Sequence, residues 1–353
     1  MSIKMLRNVR RLLTHFSSFS QSDKIVNKPN LLPVTVSSRM AASSTTTDDQ
    51  SENDLRSVLV STVLDLETLD PYLFRAKNMW HAYGPGKRLF GGQIIGQAMV
   101  AAGRTVNPEL SIHSLHSYFV KAGDSTLPVL YRVENQRDGH SFCTRSVEAI
   151  QNGRIILTMM ASYHRFEDSP FHHQYTMPDV PDPDTMTTDI EELKQFVQNP
   201  DIPERLRKWA QKQLAQEITF ETKRVDRENF FSMSFDQPTE PKLLIWVKVK
   251  GNIGENTGEG GMDLQHCCLA YISDLFLAGM TYLPNRDKPL GMMCSLDHSL
   301  WFHAPCRIDE WMLYECESPQ SGHGRGMTLG RFWRRDGVLA VTVAQEALLR
   351  PKL

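Results

Sequence analysis

The sequence predicts an α+β protein in which one unit, a helix laid on a bent antiparallel sheet, occurs twice. The main observation is an internal echo with three matches in the same order and at nearly constant offset. The matched segments are His116-Ser117-Tyr118-Phe119-Val120-Lys121-Ala122 with His298-Ser299-Leu300-Trp301-Phe302-His303-Ala304, Leu130-Tyr131-Arg132-Val133-Glu134 with Leu313-Tyr314-Glu315-Cys316-Glu317, and the hairpin dipeptides Asn152-Gly153 with Asp336-Gly337. A repeated order of this kind indicates duplication of one structural unit.

Each copy is expected to begin with a helix and to continue with strands. Apolar residues predict the first helix over 91–106 and the second over 262–282. In the second run they surround the helix rather than form one stripe, which is typical of a helix packed on most sides. The following segments alternate between apolar and polar residues, and the turn signals Asp138-Gly139 and Ser321-Gly322 separate them.

We divide the chain into five segments by this pattern. They are a polar, disordered or targeting segment 1–54, an N-terminal unit 55–165, a connector 166–242 with short helices, a C-terminal unit 243–350, and a peroxisomal-type signal 351–353. Within the connector, Thr188-Asp189-Ile190-Glu191 is a capping box that predicts the start of one helix. Pro203 suits the first turn of a second helix running toward Gln216.

Composition excludes several classes of protein. A chain of 353 residues with 41% hydrophobic and 23% charged residues is typical of a soluble globular protein with a sizeable core. The net charge of −2 gives no electrostatic footprint for nucleic acid, and a solvated hairpin explains the cluster Arg331, Arg334 and Arg335. We find no apolar run long enough to predict a transmembrane span.

The six cysteines are scattered among apolar residues, which favours reduced thiols over a disulfide framework. The sequence contains neither a Cys-x-x-Cys pair nor a His-Glu-x-x-His motif, so no metal site is expected.

Both ends of the chain resemble targeting signals. The basic, Ser-rich N-terminus, with Lys4, Arg7, Arg10 and Arg11, resembles a mitochondrial transit peptide, which an internal start at Met40 would omit. The C-terminus, 351–353, reads Pro-Lys-Leu and is close to the peroxisomal Ser-Lys-Leu signal. The two signals conflict, and we expect the peroxisomal matrix, with the mitochondrion as the alternative.

Asp274 stands out because it lies inside an apolar run, where an ionised carboxylate is costly unless it is paired or hydrogen-bonded. A satisfied structural Asp and a catalytic one are equally good interpretations of the run alone. The segment Gly139-His140-Ser141-Phe142-Cys143 is one glycine short of the nucleophile elbow of α/β-hydrolases, and it precedes a strand rather than a helix. Both departures argue against an α/β-hydrolase.

Several motifs together resemble the thioesterase II family of acyl-coenzyme A thioesterases, in particular its peroxisomal members. They are Phe90-Gly91-Gly92-Gln93, Gly96-Gln97-Ala98, His113-Ser114-Leu115-His116-Ser117-Tyr118-Phe119, Arg137-Asp138-Gly139 with Ser141-Phe142, Ala270-Tyr271-Ile272-Ser273-Asp274, the run from Ser295 to Pro305 and the run from Asp336 to Arg350. They occur in the family's order and cover residues 55–350. The resemblance implies a double hot-dog fold, which agrees with the internal echo.

The resemblance also implies a catalytic set. The family's Asp, Ser or Thr, and Gln fall on Asp274, Ser295 and Gln345, with no departure at any of the three. Taken without the family, Ser295 is a strand-edge hydroxyl and Gln345 an exposed strand residue. With it, Asp274 becomes a general base for water, and Ser295 and Gln345 fix the water and the carboxylate. Direct attack by Asp274 to form an anhydride stays open. The oxyanion donors are expected to be backbone N–H groups.

The expected function is hydrolysis of fatty acyl-CoA to free fatty acid and CoA, without a metal or redox cofactor. The alternatives are a non-catalytic acyl-CoA-binding protein and a hot-dog enoyl-CoA hydratase. Expected partners are the acyl-CoA substrate, a peroxisomal import receptor at the C-terminus and a second copy in a homodimer. Arg325 and Arg331 are the candidates for binding CoA.

Only one copy is expected to carry out chemistry. The offsets of the echo place His113 opposite Ser295 and Ala161 opposite Gln345, and aligning the helices places Gln97 opposite Asp274. An amide cannot act as a general base at neutral pH, and an alanine cannot hold a water molecule. We expect a structural hydrogen bond at His113.

Overall fold

The computed structural model describes residues 59–60, 64–79, 87–202, 204–216, 218–225, 238–254 and 263–352. The α-helices in these ranges are Gly91–Gly103 (α1), Asp189–Gln198 (α2), Glu204–Leu214 (α3) and Leu264–Ser273 (α4). The strands are Glu67–Asp70 (β1), Leu73–Ala76 (β2), Ser111–Phe119 (β3), Val129–Asp138 (β4), Phe142–Gln151 (β5), Arg154–His164 (β6), Phe220–Arg224 (β7), Lys242–Val249 (β8), Leu290–Ser295 (β9), Asp297–Phe302 (β10), Met312–Gly322 (β11), Arg325–Trp333 (β12) and Leu339–Pro351 (β13).

One continuous antiparallel sheet contains both units. Hydrogen bonds join the strands in the order β1-β2-β4-β5-β6-β3-β10-β13-β12-β11-β8-β7, and β9 pairs with β13. The first unit contributes β4-β5-β6-β3, and the second contributes the mirrored order β10-β13-β12-β11. The two units therefore meet where β3 pairs with β10.

The register of this junction confirms the duplication. His116 pairs with Ser299, and Ser117 pairs with His298. Because the internal echo equates His116 with His298 and Ser117 with Ser299, exchanging the two units reproduces the same pairs. The junction thus has the self-complementary contacts of a two-fold interface, built here within one chain.

Helices α1 and α4 form the centre of the core. Every residue of α1 after Gly91 is buried, as is every residue of α4 after Leu264. The rings of Phe90, just before α1, and Tyr271, in α4, meet edge to face with their centroids 5.0 Å apart. Each unit is thus a helix against an antiparallel sheet, and the pair forms the double hot-dog arrangement that the sequence predicted.

The predicted second helix is too long. The chain leaves the α-helix at Ser273, and Phe276 takes φ = 66°, a left-handed value that ends the helical hydrogen-bond pattern. Two short 3₁₀ turns follow, at Leu277–Thr281 and Leu283–Asn285. Periodicity missed this break because the residues on both sides of it are apolar.

One segment in the part of the chain that the structure describes, Leu264–Asn285, is long and apolar enough by composition to cross a bilayer. This corrects the expectation that no such run exists. In the fold, 61% of its most apolar 18-residue stretch is buried, and Phe276 interrupts the helix. The segment is therefore part of the core rather than a transmembrane helix.

The predicted turn dipeptide is confirmed between β5 and β6, and it is displaced between β11 and β12. Asn152 and Gly153 take φ values of 48° and 69°, as expected between β5 and β6. Between β11 and β12 the left-handed residues are His323 and Gly324, not the predicted Ser321-Gly322. The strand simply continues through the dipeptide before it turns.

The capping box predicted within the connector is present. Thr188 and Glu191 form the full capping box, with the Glu191 N–H donating to Thr188 Oγ1 at 3.2 Å and the Thr188 N–H donating to Glu191 Oε2 at 2.8 Å. Helix α3 follows, although Pro203 itself lies outside the described residues, as do residues 1–58, including Met40, and Leu353. The connector also supplies β7, which extends the second half of the sheet.

The cysteines and the arginine cluster have ordinary roles. All six cysteines are free thiols. Arg331 forms ion pairs with Glu315 and Glu317, and Arg334 and Arg335 likewise pair with aspartates. The carboxylates thus neutralise the charge of these three arginines.

Candidate active site

Asp274 lies at the carboxyl end of α4, as its C-cap, rather than inside a long helix. The last carbonyls of α4 carry partial negative charge and disfavour an ionised carboxylate at this position. The ionised form of Asp274 therefore depends on hydrogen-bond donors from other parts of the chain.

The structure brings the three predicted residues together. Ser295, the last residue of β9, donates from Oγ to Asp274 Oδ1 at 3.2 Å. Gln345, in the middle of β13, donates from Nε2 to the same oxygen at 3.1 Å, and it also donates to Ser295 Oγ. Gln345 is fully buried, so the interpretation of an exposed strand residue is wrong.

A third donor to Asp274 comes from the first unit. The backbone N–H of Gly92, in the first turn of α1, donates to Asp274 Oδ2 at 2.9 Å. The first N–H groups of a helix have no partner within it, and this end carries partial positive charge. The amino end of α1 thus offsets the unfavourable end of α4 at the same carboxylate.

Two glycines make this approach possible. A Cβ on Gly91 would lie 2.6 Å from Asp274 Oδ2, and one on Gly92 would lie 2.2 Å from the backbone oxygen of Tyr271. Both distances are too short for any side chain, so only glycine lets α1 begin on the carboxylate. The sequence contained this signal as the motif Phe90-Gly91-Gly92-Gln93, but its role was not predicted.

The electrostatics of Asp274 suit a base. Burial raises the pKa of Asp274 to about 6, while the hydrogen bonds from Gln345, Ser295 and Gly92 act in the opposite direction. Part of the residue's surface is still accessible, because it lines a cavity. The carboxyl group is therefore largely ionised at neutral pH and can still accept a proton.

A cavity of about 570 Å³ opens onto Asp274 and Ser295. Its walls are mostly apolar. They include Phe90, Ile94, Phe119, Leu275, Phe276 and Met293. Two cationic side chains, Arg88 and Lys121, also line it. An apolar space with a carboxylate on its wall and cations at its side can hold an amphipathic, anionic ligand.

A larger cavity of about 730 Å³ lies elsewhere, between the connector and the second half of the sheet. Its lining is rich in charge, with Arg224, Arg286, Glu240, Glu315 and Glu317. None of the three predicted site residues lines it. We therefore assign the site to the smaller cavity.

The three positions of the first unit that match Asp274, Ser295 and Gln345 carry no carboxylate. His113 Nε2 lies 2.8 Å from Ser162 Oγ, and its ring meets Phe142 and His164 edge to face. Gln97 is buried and accepts from the Tyr131 hydroxyl at 2.6 Å, and Ala161 is fully buried. His113 thus makes the hydrogen bond that we expected at this position.

The arginines predicted to bind CoA do not line this cavity. Arg325 pairs with Glu346 at 2.8 Å, and Arg331 pairs with two glutamates. Sequence position alone could not indicate which cations face the cavity, because Arg88 and Lys121 come from the first unit.

Each of the two units matches a known protein-family model. Residues 80–164 match the acyl-CoA thioesterase N-terminal domain, and residues 191–349 match the acyl-CoA thioesterase C-terminal domain. The chain is 49% identical over 300 residues to human acyl-coenzyme A thioesterase 8, covering 85% of this chain and 91% of the human protein. It is 27% identical to yeast peroxisomal acyl-coenzyme A thioester hydrolase 1, covering 80% and 92% of the two chains.

A solved structure gives the same fold. The acyl-CoA thioesterase II TesB2 from Mycobacterium marinum is 30% identical, with a TM-score of 0.63, over 84% of this chain and 98% of the bacterial one. Sequence relatives, domain matches and fold agree, and the chain belongs to the acyl-CoA thioesterase family.

Proposed function

We propose that this acyl-CoA thioesterase hydrolyses fatty acyl-CoA by a water molecule that Asp274 activates, with Ser295 and Gln345 holding the base and the water. The strongest support is the hydrogen-bonded cluster of the Asp274 carboxylate with Ser295, Gln345 and the Gly92 N–H. Three donors converge on a carboxylate whose pKa burial raises to about 6, on the wall of an apolar cavity. General-base catalysis of this kind typically contributes ~10²–10⁴-fold.

The reaction balances with the residues present. The water oxygen attacks the thioester carbonyl carbon while Asp274 takes one of its protons, and the carbonyl electrons move to the oxygen. When the tetrahedral intermediate collapses, the carbon–sulfur bond breaks and the thiolate of CoA leaves. The proton on Asp274 then passes to the thiolate, which yields CoA and a fatty acid.

Gly91 is the best candidate for stabilising the developing oxyanion. It is the first residue of α1 and lines the cavity next to Asp274. A fixed backbone N–H in a water-poor site stabilises such a charge without reorganisation. This agrees with the expectation of backbone donors.

Direct attack by Asp274 is the alternative mechanism. It would give a mixed anhydride of Asp274 and the fatty acid, which water would then cleave. Acid quench of a single turnover, followed by mass spectrometry of the peptide with Asp274, tests this alternative. We expect no acyl group on Asp274, whereas an acylated Asp274 would establish the anhydride. Turnover in heavy-oxygen water adds a second test, because label in the Asp274 carboxylate would arise only if water opened an anhydride at that carbon.

The substrate's two ends fit the two kinds of wall. The apolar walls would hold the acyl chain, and Arg88 and Lys121 would face the phosphates of CoA. Among the described residues neither cation forms an ion pair with a carboxylate, so both charges are available for an anion.

Thiol release from acyl-CoA, followed with a thiol-reactive dye, tests the function. We expect steady release of CoA in proportion to enzyme. A hot-dog hydratase would change the acyl chain without releasing thiol, and a binding protein would saturate without turnover. Absence of thiol release from the folded protein over a range of acyl chains would refute the proposal.

We also propose that the enzyme acts in the peroxisome through its C-terminus. Pro351 ends β13, and the Lys352 N–H donates to the Pro289 carbonyl at 2.9 Å, so a receptor would have to displace only the last residues. In a tagged chain begun at Met40, deletion of 351–353 or Lys352→Glu should leave the protein in the cytosol. The control Lys288→Glu should stay peroxisomal. Unchanged peroxisomal location after deletion would disprove the signal.

Pairing of two copies stays a proposal as well. Tyr118 and Met160 lie exposed on the outer face of the sheet near the junction of the units, where a second sheet could cover them. Light scattering after gel filtration should give twice the chain mass. A monomer at micromolar concentration would contradict the homodimer.

A further inference from the structure

We infer that His298, fully buried behind Gln345, is a positioning residue that fixes which end of the Gln345 amide faces Asp274. This inference rests on the proposed function of Asp274 and Gln345. His298 Nδ1 lies 2.8 Å from Gln345 Oε1, and His298 itself is buried. It lies on β10, on the opposite side of Gln345 from the carboxylate.

The orientation of the Gln345 amide follows from its neighbours. The Asp274 carboxylate only accepts hydrogen bonds when it is ionised, so the amide must present its NH₂ group to Asp274 and Ser295. Oε1 must then face His298, and the ring nitrogen that meets it must carry a proton. The contact therefore requires the tautomer with hydrogen on Nδ1.

The other ring nitrogen is fixed too. Burial lowers the pKa of His298 to about 4, so the ring is neutral at working pH and its Nε2 is an acceptor. Nε2 lies 2.8 Å from Ser273 Oγ. The Ser273 hydroxyl also lies 2.9 Å from the Ala270 carbonyl, a second possible acceptor. Because a neutral Nε2 can only accept, the single hydroxyl proton must point to His298.

These bonds form a one-directional chain. Ser273 donates to His298, His298 donates to Gln345, and Gln345 donates to Ser295 and Asp274. Ser273 and Asp274 are consecutive residues, so the chain starts and ends at the same helix terminus. A rotated Gln345 amide would place its oxygen against a carboxylate and an NH₂ group against an N–H, and both contacts are repulsive.

The test compares two substitutions at His298. Asn places its amide nitrogen near the position of Nδ1 and can still donate to Gln345, whereas Leu cannot. We expect His298→Leu to lower kcat about 10- to 100-fold, the effect of a misplaced catalytic group, with KM changed less than about 3-fold. His298→Asn should recover most of the lost kcat.

Three further measurements distinguish positioning from a merely structural role. Loss of the Gln345 bond removes a contact that lowers the pKa of Asp274, so the acid limb of the kcat/KM profile should move to higher pH in His298→Leu. In a Gln345→Ala background, His298→Leu should change kcat by less than about 2-fold. Ser273→Ala, which leaves the ring in place, should lower kcat and move the same limb.

His116 provides the matched control. It is the counterpart of His298 in the echo, but it is exposed and bonds to Ser299 on the outer face. His116→Leu should leave kcat and the acid limb unchanged.

A folded His298→Leu enzyme with normal kcat and an unmoved limb would overturn the inference, as would full additivity with Gln345→Ala. If His298→Leu does not fold, an unmoved limb in Ser273→Ala overturns it. If the folded wild-type protein released no thiol from acyl-CoA, the proposed function itself would be refuted.

Discussion

The backbone N–H of Gly92 donates to Oδ2 of Asp274 at 2.9 Å, and this bond joins the first unit to the carboxylate of the second. The two halves of the chain thus share one site. The first unit supplies the positive end of a helix, and the second supplies Asp274, the proposed base, with Ser295 and Gln345. Duplication has produced complementary roles for the two units.

The pH dependence of hydrolysis follows from Asp274. A base acts only when it has lost its proton, and burial raises the pKa of Asp274 to about 6. We expect kcat/KM to fall tenfold per pH unit below about pH 6 and to be level from there to about pH 8. A rate that stays level down to about pH 4.5, in an enzyme still folded by circular dichroism, would contradict this assignment.

The glycines at the start of α1 give a second prediction. In Gly91→Ala the new Cβ meets Asp274 Oδ2, so kcat should fall about 10²-fold or more from displacement of the base. Gly96→Ala, in the same helix, meets Leu64 and the Cys267 carbonyl at 3.0 and 3.1 Å instead. It should lower the melting temperature and change kcat little. Equal loss of kcat in both variants would mean that α1 acts only through stability.

The pKa of Asp274 also predicts a pH-dependent stability. Between about pH 4 and pH 6 the folded state holds a proton that the unfolded state, with a pKa near 3.8, has released. The free energy of unfolding therefore falls as pH rises through this window, by roughly 3 kcal/mol at most. Asn cannot titrate, so Asp274→Asn should gain about 2 kcal/mol relative to wild type between pH 4.5 and 7.5, the part of the change that falls in this interval.

Urea denaturation of both proteins at the two pH values measures this difference. Loss of the Gly92 bond in the variant is present at both pH values and cancels in the comparison. A constant difference between the two proteins would show that the pKa of Asp274 is not raised.

The cations of the cavity predict a substrate-dependent effect. Arg88→Ala and Lys121→Ala should each raise KM for acyl-CoA about 10-fold, the size of a lost bond to a charged group. KM for the matching acyl-pantetheine thioester, which lacks the phosphates, should be unchanged. Arg154→Ala, at an exposed arginine outside the cavity, is the control. Equal effects on both substrates would indicate that these side chains do not meet the phosphates.

Local patterns in the sequence predicted the repeated part of the fold well. The echo fixed the equivalence of His116 and His298, which the junction of β3 and β10 reproduces. The capping box at Thr188 and the turn at Asn152 were also correct, because each depends on residues close together in the chain.

Contacts between distant segments could not be predicted in this way. Gly92 meets Asp274 across 182 positions, and His298 meets Gln345 across 47. Gln345 resembles an exposed strand residue until the fold buries it between β10 and β12. The end of α4 was missed because the direct neighbours of the left-handed Phe276, Leu275 and Leu277, are apolar and continue the apolar run.

The most direct test of the single site is kcat for thiol release at saturating acyl-CoA in Asp274→Asn and His113→Ala. Asn nearly preserves the shape of the carboxylate and removes the base, while His113 is the residue of the first unit that the echo places opposite Ser295. We expect Asp274→Asn to lose about 10²–10⁴-fold in kcat and His113→Ala to keep most of it, with both proteins folded by circular dichroism. Wild-type turnover in Asp274→Asn, or a loss of about half in each variant, would contradict one site built on Asp274.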